Sequence, residues 1–200
     1  MHGSLLPQYR GRVPVNWAVI NGETETGATL HYMVEKPDAG DIVDQQKVVI
    51  AFADTALDVF VKVTAAAELL ICRSWPLLRE GRARRIPMNL ALGSYFGGRK
   101  PADGLIDWGR DAVGIYNLIR GVTHPYPGAF TFLDGKKFII WKAWPVEGQG
   151  DPGKVVSVAP LLVGTGAGLL EIRSVQMETE EELSPDGFTA RHPILGKKFV

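Results

Sequence analysis

The sequence predicts an α/β chain in two parts, a first part that mixes strands with one long helix and a second, β-rich domain. Apolar residues between Leu57 and Ile71 follow helical spacing, whereas those after Ala129 fall in short runs between turn residues. The 23 glycines and 13 prolines imply many turns, which favours strands over a purely helical fold. With 46% apolar and 22% charged residues, the composition is that of a globular protein and excludes a wholly disordered chain.

The first part is expected to run from residue 1 to 92. Two strands are predicted at 29–34 and 42–50, on either side of a polar, turn-rich loop. A long helix should begin near Thr55, since Thr55 and Asp58 have the spacing of a capping box in which Asp replaces the usual Glu or Gln. Pro76 should kink or end this helix, and Gly81 is a natural stop.

The segment that follows is rich in Gly, Pro and Arg, and it predicts a linker at 93–104. The second domain, 105–200, should open with a helix at 111–120 that Gly121 stops. The dipeptide Asp134–Gly135 predicts a tight hairpin. Together with this hairpin, further short strands predict a small barrel of the oligonucleotide/oligosaccharide-binding (OB) type: 129–133, 136–141, 155–158, 161–163 and 169–175.

Composition also narrows the function classes. Lys and Arg total 22 and Asp and Glu total 22, so the chain lacks the basic excess of a dedicated nucleic-acid binder. The single cysteine, Cys72, excludes an internal disulfide framework and fits a reducing, cytoplasmic location. No apolar run is long enough for a membrane span, and the four histidines lack metal-ligand spacing, so neither membrane nor metal is expected. The basic cluster 79–85 is either a phosphate or nucleic-acid contact or a solvated linker.

Two residues are candidates for chemistry. His2 precedes a small-residue turn that would let a substrate approach the imidazole, a group that exchanges protons near neutral pH. Asp38 lies in the loop Pro-Asp-Ala-Gly-Asp, and its carboxylate would stabilise an imidazolium if the two side chains meet. The plainer alternatives are a mobile terminal histidine and a turn-forming aspartate, and the residues alone leave both open.

Several segments, taken in order, carry a more specific signal: His2–Pro7, Tyr9–Gly11, Asn16–Trp17, Gly22–Gly27, Thr29–His31, Asp38–Ile42, Phe96–Arg99, Asp107–Trp108 and Pro125–Phe130. Together they resemble the 10-formyltetrahydrofolate-dependent formyltransferases, a family that includes sugar-amine and methionyl-tRNA formyltransferases. The residues of the earlier segments are most similar to the branch that formylates UDP-4-amino-4-deoxy-L-arabinose in lipid A modification. The later segments resemble the linker and C-terminal barrel of the family, so the resemblance covers nearly all of the chain.

The resemblance implies a fold and an activity. Residues 1–92 would be the C-terminal part of a Rossmann-like catalytic domain, followed by the OB-like domain. An amine would attack the formyl carbon of 10-formyltetrahydrofolate, with His2 as the proton-transfer group and Asp38 as the carboxylate that supports it. Arg12 matches a position near the folate or the substrate, and the folate pocket would be lined by Val34, Glu35, Lys36, Pro37 and Asp38.

The resemblance also implies that the chain is shortened. In the family an Asn that stabilises the oxyanion lies two residues before the histidine, after a long region that supplies the first strands of the sheet. Here only Met1 precedes His2. Since one oxyanion donor is worth about two to three powers of ten in rate, we expect weak activity or none from the chain alone. An exposed sheet edge would then permit self-association.

Three alternatives to the sugar-amine enzyme follow from the same residues. The first is a methionyl-tRNA formyltransferase, which the basic cluster allows. The second is a fragment that binds folate or nucleotide without catalysis. The third, a hydrolase that deformylates the same co-substrate, would use the same histidine and aspartate.

Overall fold

A computed structural model describes all 200 residues, which divide into two compact units, Met1–Arg99 and Lys100–Val200. Both units contain helices and strands, and the sheets include parallel and antiparallel pairs, so the predicted mixed α/β class is confirmed. None of the helices combines the length and the apolar character needed to cross a lipid bilayer.

In the first unit a long helix packs on a two-stranded antiparallel ribbon. Strand β2 (Glu25–His31) pairs with β3 (Ile42–Val49), and helix α2 (Ala56–Arg79) lies against both strands. Helix α1 (Pro14–Ile20) packs beside α2. The buried residues of α2 recur every three or four positions, which is the spacing of one helix face: Ala56, Val59, Val63, Ala66, Leu70 and Ser74.

Helix α2 begins as the sequence predicts. The Thr55 hydroxyl accepts the Asp58 N–H and the Asp58 carboxylate accepts the Thr55 N–H, which completes the capping box. Of the two expectations for Pro76, a kink or a helix end, the helix end is wrong, because α2 contains Pro76 and continues to Arg79. A proline so near the C-terminus removes a single backbone hydrogen bond, and the chain leaves the helix at Gly81, in the left-handed region at φ 68°.

The expected linker is partly an element of the first unit. Strand β1 (Arg10–Gly11) pairs in parallel with β4 (Tyr95–Phe96). Each strand has two residues, which is too short for a pattern of alternating side chains to predict the pairing. The sequence analysis also missed α1, whose main signal is a proline at its first position. Strand β2 begins four residues before the predicted start at Thr29.

The second unit is built on six antiparallel strands: β5 (Ala129–Leu133), β6 (Lys136–Val146), β7 (Val155–Val158), β8 (Leu161–Gly164), β9 (Leu169–Met177) and β10 (Glu182–Leu183). In order across the sheet they run β5–β6–β9–β8–β7, and β10 pairs with β9. Helix α3 (Ala112–Val122) packs on β6, and helix α4 (Pro185–Arg191) contacts β9 and β7.

In the second unit the hairpin predicted from the sequence is confirmed, and the predicted end of helix α3 is wrong. Asp134 and Gly135 join β5 to β6 with φ of 51° and 78°, as their dipeptide predicts. Gly121, expected as a stop, is a buried residue inside α3. The helix ends one residue later, where Thr123 is extended and His124 precedes Pro125, a position that disfavours helical backbone.

The C-terminal segment joins the two outer strands of this sheet. Val200 exchanges two backbone hydrogen bonds of 3.0 Å with Phe132 of β5. Phe199 donates its N–H to the Gly153 carbonyl, and Val155 donates to Lys197, at the start of β7. The sheet therefore curls so that one segment reaches both edges, while the OB identity of the domain stays a prediction.

Candidate functional site

His2 is fixed to the ribbon of the first unit. Its N–H donates to the Thr29 carbonyl and its carbonyl accepts the Thr29 N–H, both at 2.9 Å. The Thr29 hydroxyl donates to the Ser4 carbonyl at 2.6 Å and accepts the Leu6 N–H at 3.0 Å. His2 is 8% exposed, so the alternative of a mobile terminal histidine does not describe this structure.

The structure brings His2 and Asp38 together. The Nδ1 atom of His2 lies 3.4 Å from Oδ1 of Asp38, and both side chains are largely buried. The second carboxylate oxygen accepts the Gly11 N–H at 3.0 Å, which holds the carboxylate plane towards the histidine. The carboxylate therefore lies beside the Nδ1 edge of the ring.

The backbone carbonyl of Tyr9 determines which ring nitrogen of His2 is free. It lies 2.8 Å from Nε2, and a carbonyl only accepts, so Nε2 must carry a proton. Nδ1 is then the nitrogen that gains and loses a proton, and it is the one that faces Asp38. This geometry lets His2 accept a proton at Nδ1 while Asp38 balances the charge.

A second histidine shares the carboxylate. Nε2 of His31 lies 3.8 Å from Oδ1 of Asp38, and its Nδ1 donates to the Tyr32 carbonyl at 3.0 Å. Sequence reasoning did not assign a role to His31. A signal was available, because His31 ends the segment Thr29–His31, one of those that carry the resemblance.

Most of the loop predicted to line the folate pocket is exposed to solvent. Val34, Glu35, Lys36 and Pro37 are exposed, and Asp38 is the part-buried residue at which the loop reaches His2. Asp38 itself is in the left-handed region at φ 52°. Gly40 closes the loop so tightly that a Cβ atom there would lie 1.9 Å from the Tyr32 carbonyl oxygen.

The predicted residue Arg12 is exposed beside the site. Its N–H donates to the Phe96 carbonyl at 3.0 Å, and its guanidinium lies beside Gly98. Its neighbour Arg10 was not singled out by the sequence, yet it is buried and its Nε has no hydrogen-bond partner. No cluster of His, Cys, Asp and Glu in the structure has the composition of a metal site.

Comparisons with known proteins follow the same division of the chain. Residues 1–73 match the family model described as formyl transferase, and residues 99–193 match the one described as formyl transferase, C-terminal domain.

Three solved structures are similar to this chain. HypX from Aquifex aeolicus, in complex with tetrahydrofolic acid, is 21% identical with a TM-score of 0.69, covering 92% of this chain and 33% of its own. An N-formyltransferase from Helicobacter canadensis, in complex with folinic acid and dTDP-3-aminofucose, is 20% identical with a TM-score of 0.68, covering 91% of this chain and 65% of its own. A 4-N formyltransferase from Francisella tularensis is 28% identical with a TM-score of 0.60, covering 68% of this chain and 57% of its own.

The chain thus spans about a third of HypX and 65% or less of the other two relatives. At this identity the similarity to HypX and to the Helicobacter enzyme shows a shared fold. The two family models together extend over most of the 200 residues. Both parts of the chain thus match domain models of the formyltransferases, residues 1–73 in the first part and 99–193 in the second.

Proposed function

We propose that this chain carries the catalytic pair of an N-formyltransferase, which moves a formyl group from 10-formyltetrahydrofolate to an amine. The observation that supports it is the buried His2 ring, held between the Tyr9 carbonyl and the Asp38 carboxylate with Nδ1 towards the carboxylate. Folate compounds are bound in the HypX and Helicobacter canadensis structures, which favours a folate as the co-substrate here.

The reaction needs one proton to move from the amine to the folate. The amine nitrogen attacks the formyl carbon, and the carbonyl electrons move to oxygen to give a tetrahedral oxyanion. The oxyanion then collapses, the bond from carbon to N10 of the folate breaks, and N10 is protonated as it leaves. His2 accepts the amine proton at Nδ1 and returns it to N10, and Asp38 stabilises the ring while it is charged.

The remaining predicted residues would hold the co-substrate. The loop of Val34, Glu35, Lys36, Pro37 and Asp38 offers an exposed surface that ends at the catalytic pair. Arg12 follows Gly11, whose N–H holds the Asp38 carboxylate, so its guanidinium lies on a segment tied to the site. An anionic part of the folate or of the acceptor would complement that charge.

For the acceptor we propose the amino sugar of UDP-4-amino-4-deoxy-L-arabinose. The sequence resemblance supports this choice, and the Francisella tularensis relative is itself a 4-N formyltransferase. The basic residues of the cluster 79–85 could contact the phosphates of a tRNA, but the structure pairs some of them with acidic side chains. Arg82 pairs with Glu80, and Arg85 lies over the Tyr32 ring and 3.4 Å from Asp41, so part of its charge is already neutralised.

The test is a formyl-transfer assay with 10-formyltetrahydrofolate and either UDP-4-amino-4-deoxy-L-arabinose or methionyl-tRNA as acceptor. The relatives are longer than this chain. The assay is therefore run on two forms: the chain as given, and a joined form in which the part of the Francisella tularensis enzyme that lies before its match to this chain is fused to the N-terminus of this chain. We expect the joined form to transfer formyl groups to the sugar, the chain as given to do so weakly or not at all, and His2→Ala in the joined form to lower the rate about 100-fold or more. The exposed histidine His124, changed to Ala, is the matched control and should retain the rate.

The other outcomes separate the alternatives. Transfer to methionyl-tRNA alone would replace the proposed acceptor. Folate binding without transfer in either form would overturn the catalytic assignment in favour of a binding fragment. A His2→Ala variant with the wild-type rate would remove His2 from the mechanism.

Two further proposals accompany the function. The reaction would take place in the cytoplasm, where the exposed thiol of Cys72 stays reduced. The surface through which copies of the chain would associate is the edge of β3 that does not pair with β2, beyond its bridge to Ile86 and the contact of Arg73 with the Gln45 carbonyl. Sedimentation at increasing concentration tests this, and a constant monomer mass would contradict it.

A further inference from the structure

The two residues whose oxygen atoms lie beside the ring nitrogens of His2 both have a left-handed backbone. Tyr9 has φ 55° and Asp38 has φ 52°. Such a conformation is uncommon for a residue with a side chain, and it persists only where the surroundings enforce it, often at functional sites. Val13, Asp134 and Thr179 also have a positive φ, and Asp134 has it inside a two-residue hairpin turn that requires it. Tyr9 is the last residue of the turn at 6–9, and the contacts of its side chain show what holds it in this conformation.

The side chain of Tyr9 is anchored at several points. Its hydroxyl donates to Oε1 of Glu23 at 2.7 Å and accepts the Asn21 amide at 3.2 Å. Its ring stacks on Phe96 with the centroids 4.9 Å apart and the planes 9° from parallel. Its backbone N–H donates to the Ser94 hydroxyl at 2.9 Å. These contacts over-determine the position of the residue and so fix its carbonyl.

The anchoring hydroxyl stays protonated at any working pH. Burial, followed by the hydrogen bond to Glu23, raises the pKa of Tyr9 to about 12. The hydroxyl is therefore a permanent donor to the Glu23 carboxylate, and it does not itself supply an acid or base near neutral pH.

We infer that Tyr9 is a positioning residue for the proposed transferase reaction: its anchored side chain holds its own carbonyl on Nε2 of His2. The carbonyl thereby assigns the Nε2 proton and leaves Nδ1 as the nitrogen that exchanges protons beside Asp38. Without the anchor the ring could turn over and present Nε2 to the carboxylate instead. The role in catalysis rests on the proposed function, whereas the control of the ring rests on the contacts alone.

The direct test is NMR on the full chain labelled with 15N-histidine, comparing wild type with Tyr9→Phe and Tyr95→Phe. Tyr95→Phe is the matched control, because Tyr95 lies on β4 and is 64% exposed. In the neutral wild-type ring we expect the proton on Nε2, with slow exchange into solvent. In Tyr9→Phe the exchange should be about tenfold faster or more, because the hydrogen bonds of the hydroxyl to Glu23 and Asn21 are both lost, and in Tyr95→Phe it should be unchanged.

Two results would overturn the inference: a neutral wild-type ring protonated on Nδ1, or a Tyr9→Phe exchange rate equal to that of wild type. Amide spectra of each variant establish that it is folded. Should Tyr9→Phe fail to fold, Glu23→Gln removes the charged acceptor only, and it should give a smaller acceleration; no acceleration would count against the anchor.

A kinetic readout separates this role from simple stability. In the transfer assay Tyr9→Phe should lower kcat with the KM for 10-formyltetrahydrofolate unchanged, since the carbonyl orients His2 and does not hold the folate. If the NMR result is as expected and no form of the protein transfers formyl groups, the proposed function fails while the control of the His2 ring stands.

Discussion

The two units of the chain distribute apolar side chains in opposite ways. Of the large apolar side chains that are exposed, sixteen lie in the first unit and six in the second, whereas the buried apolar residues number fourteen and twenty-five. Helix α2 presents Phe60, Val61 and Trp75 on its outer face, while the second unit encloses Phe138, Phe188 and Phe199. Since apolar burial is the main favourable term in folding, we expect the second unit to be the more stable one.

The histidine–carboxylate pairs show the reverse pattern. In the first unit His2 and Asp38 are 8% and 19% exposed, and in the second unit His124 and Glu182 are 56% and 39% exposed. Charges interact more strongly where water is excluded, and an exposed pair contributes little. Burial and a fixed tautomer, and not the presence of a histidine–carboxylate pair alone, therefore distinguish the candidate site.

The largest expected loss of stability comes from a change in the core of the second unit. Phe138→Ala removes a fully buried ring and should lower the free energy of unfolding of that unit by about 3–5 kcal/mol. Phe60→Ala, at a half-exposed position on α2, should change stability by about 0.5 kcal/mol or less. Denaturant unfolding of both variants measures this. Equal losses would show that the outer face of α2 is not free surface.

A smaller pair of changes asks whether the units unfold independently. Thr55→Ala removes the cap of α2, and Asp111→Ala removes the cap of α3, where Asp111 accepts the Gly114 N–H at 2.6 Å. Each should cost about 1 kcal/mol, and only in its own unit. Hydrogen exchange followed amide by amide distinguishes the units. A loss of protection spread over both units would contradict their independence.

The smallest expected effect is a pH dependence in the second unit. The hydrogen bond from Ser174, and next that from His124, hold the pKa of Glu182 below its ordinary value. A lowered folded-state pKa stabilises the unit above the ordinary glutamate pKa of about 4.3, and this contribution is lost as the pH falls towards the lowered value. Glu182→Gln should flatten that acid limb of the stability curve, measured by thermal unfolding at pH values above and below the ordinary glutamate pKa. An unchanged acid limb would show that the contacts of Glu182 add nothing.

Local signals allowed part of this structure to be predicted from the sequence. The capping box at Thr55 and the turn at Asp134–Gly135 are fixed by neighbouring residues, so both were found. The pairing of β1 with β4 joins two-residue strands that are distant in the sequence, and no periodicity marks it. The helix stop expected at Gly121 failed because tertiary burial of that glycine outweighs its low helix propensity.

At the site, side-chain identity was predictable and orientation was not. The resemblance to the formyltransferases singled out His2 and Asp38, which the structure brings to 3.4 Å. The partner of Nε2 is a backbone carbonyl, a group that every residue has and that no motif marks. The left-handed backbone of Tyr9, which places that carbonyl, depends on contacts with Glu23 and Phe96 that only the folded chain makes.

The central claim is that the buried pair of the first unit carries the chemistry, and Asp38→Asn tests it most directly. The rate of formyl transfer to UDP-4-amino-4-deoxy-L-arabinose is measured for wild type, Asp38→Asn and, as the matched change in the exposed pair, Glu182→Gln. We predict that Asp38→Asn lowers kcat by about 100-fold or more while Glu182→Gln leaves it unchanged. An Asp38→Asn enzyme with the wild-type rate, or an equal loss in both variants, would contradict the account.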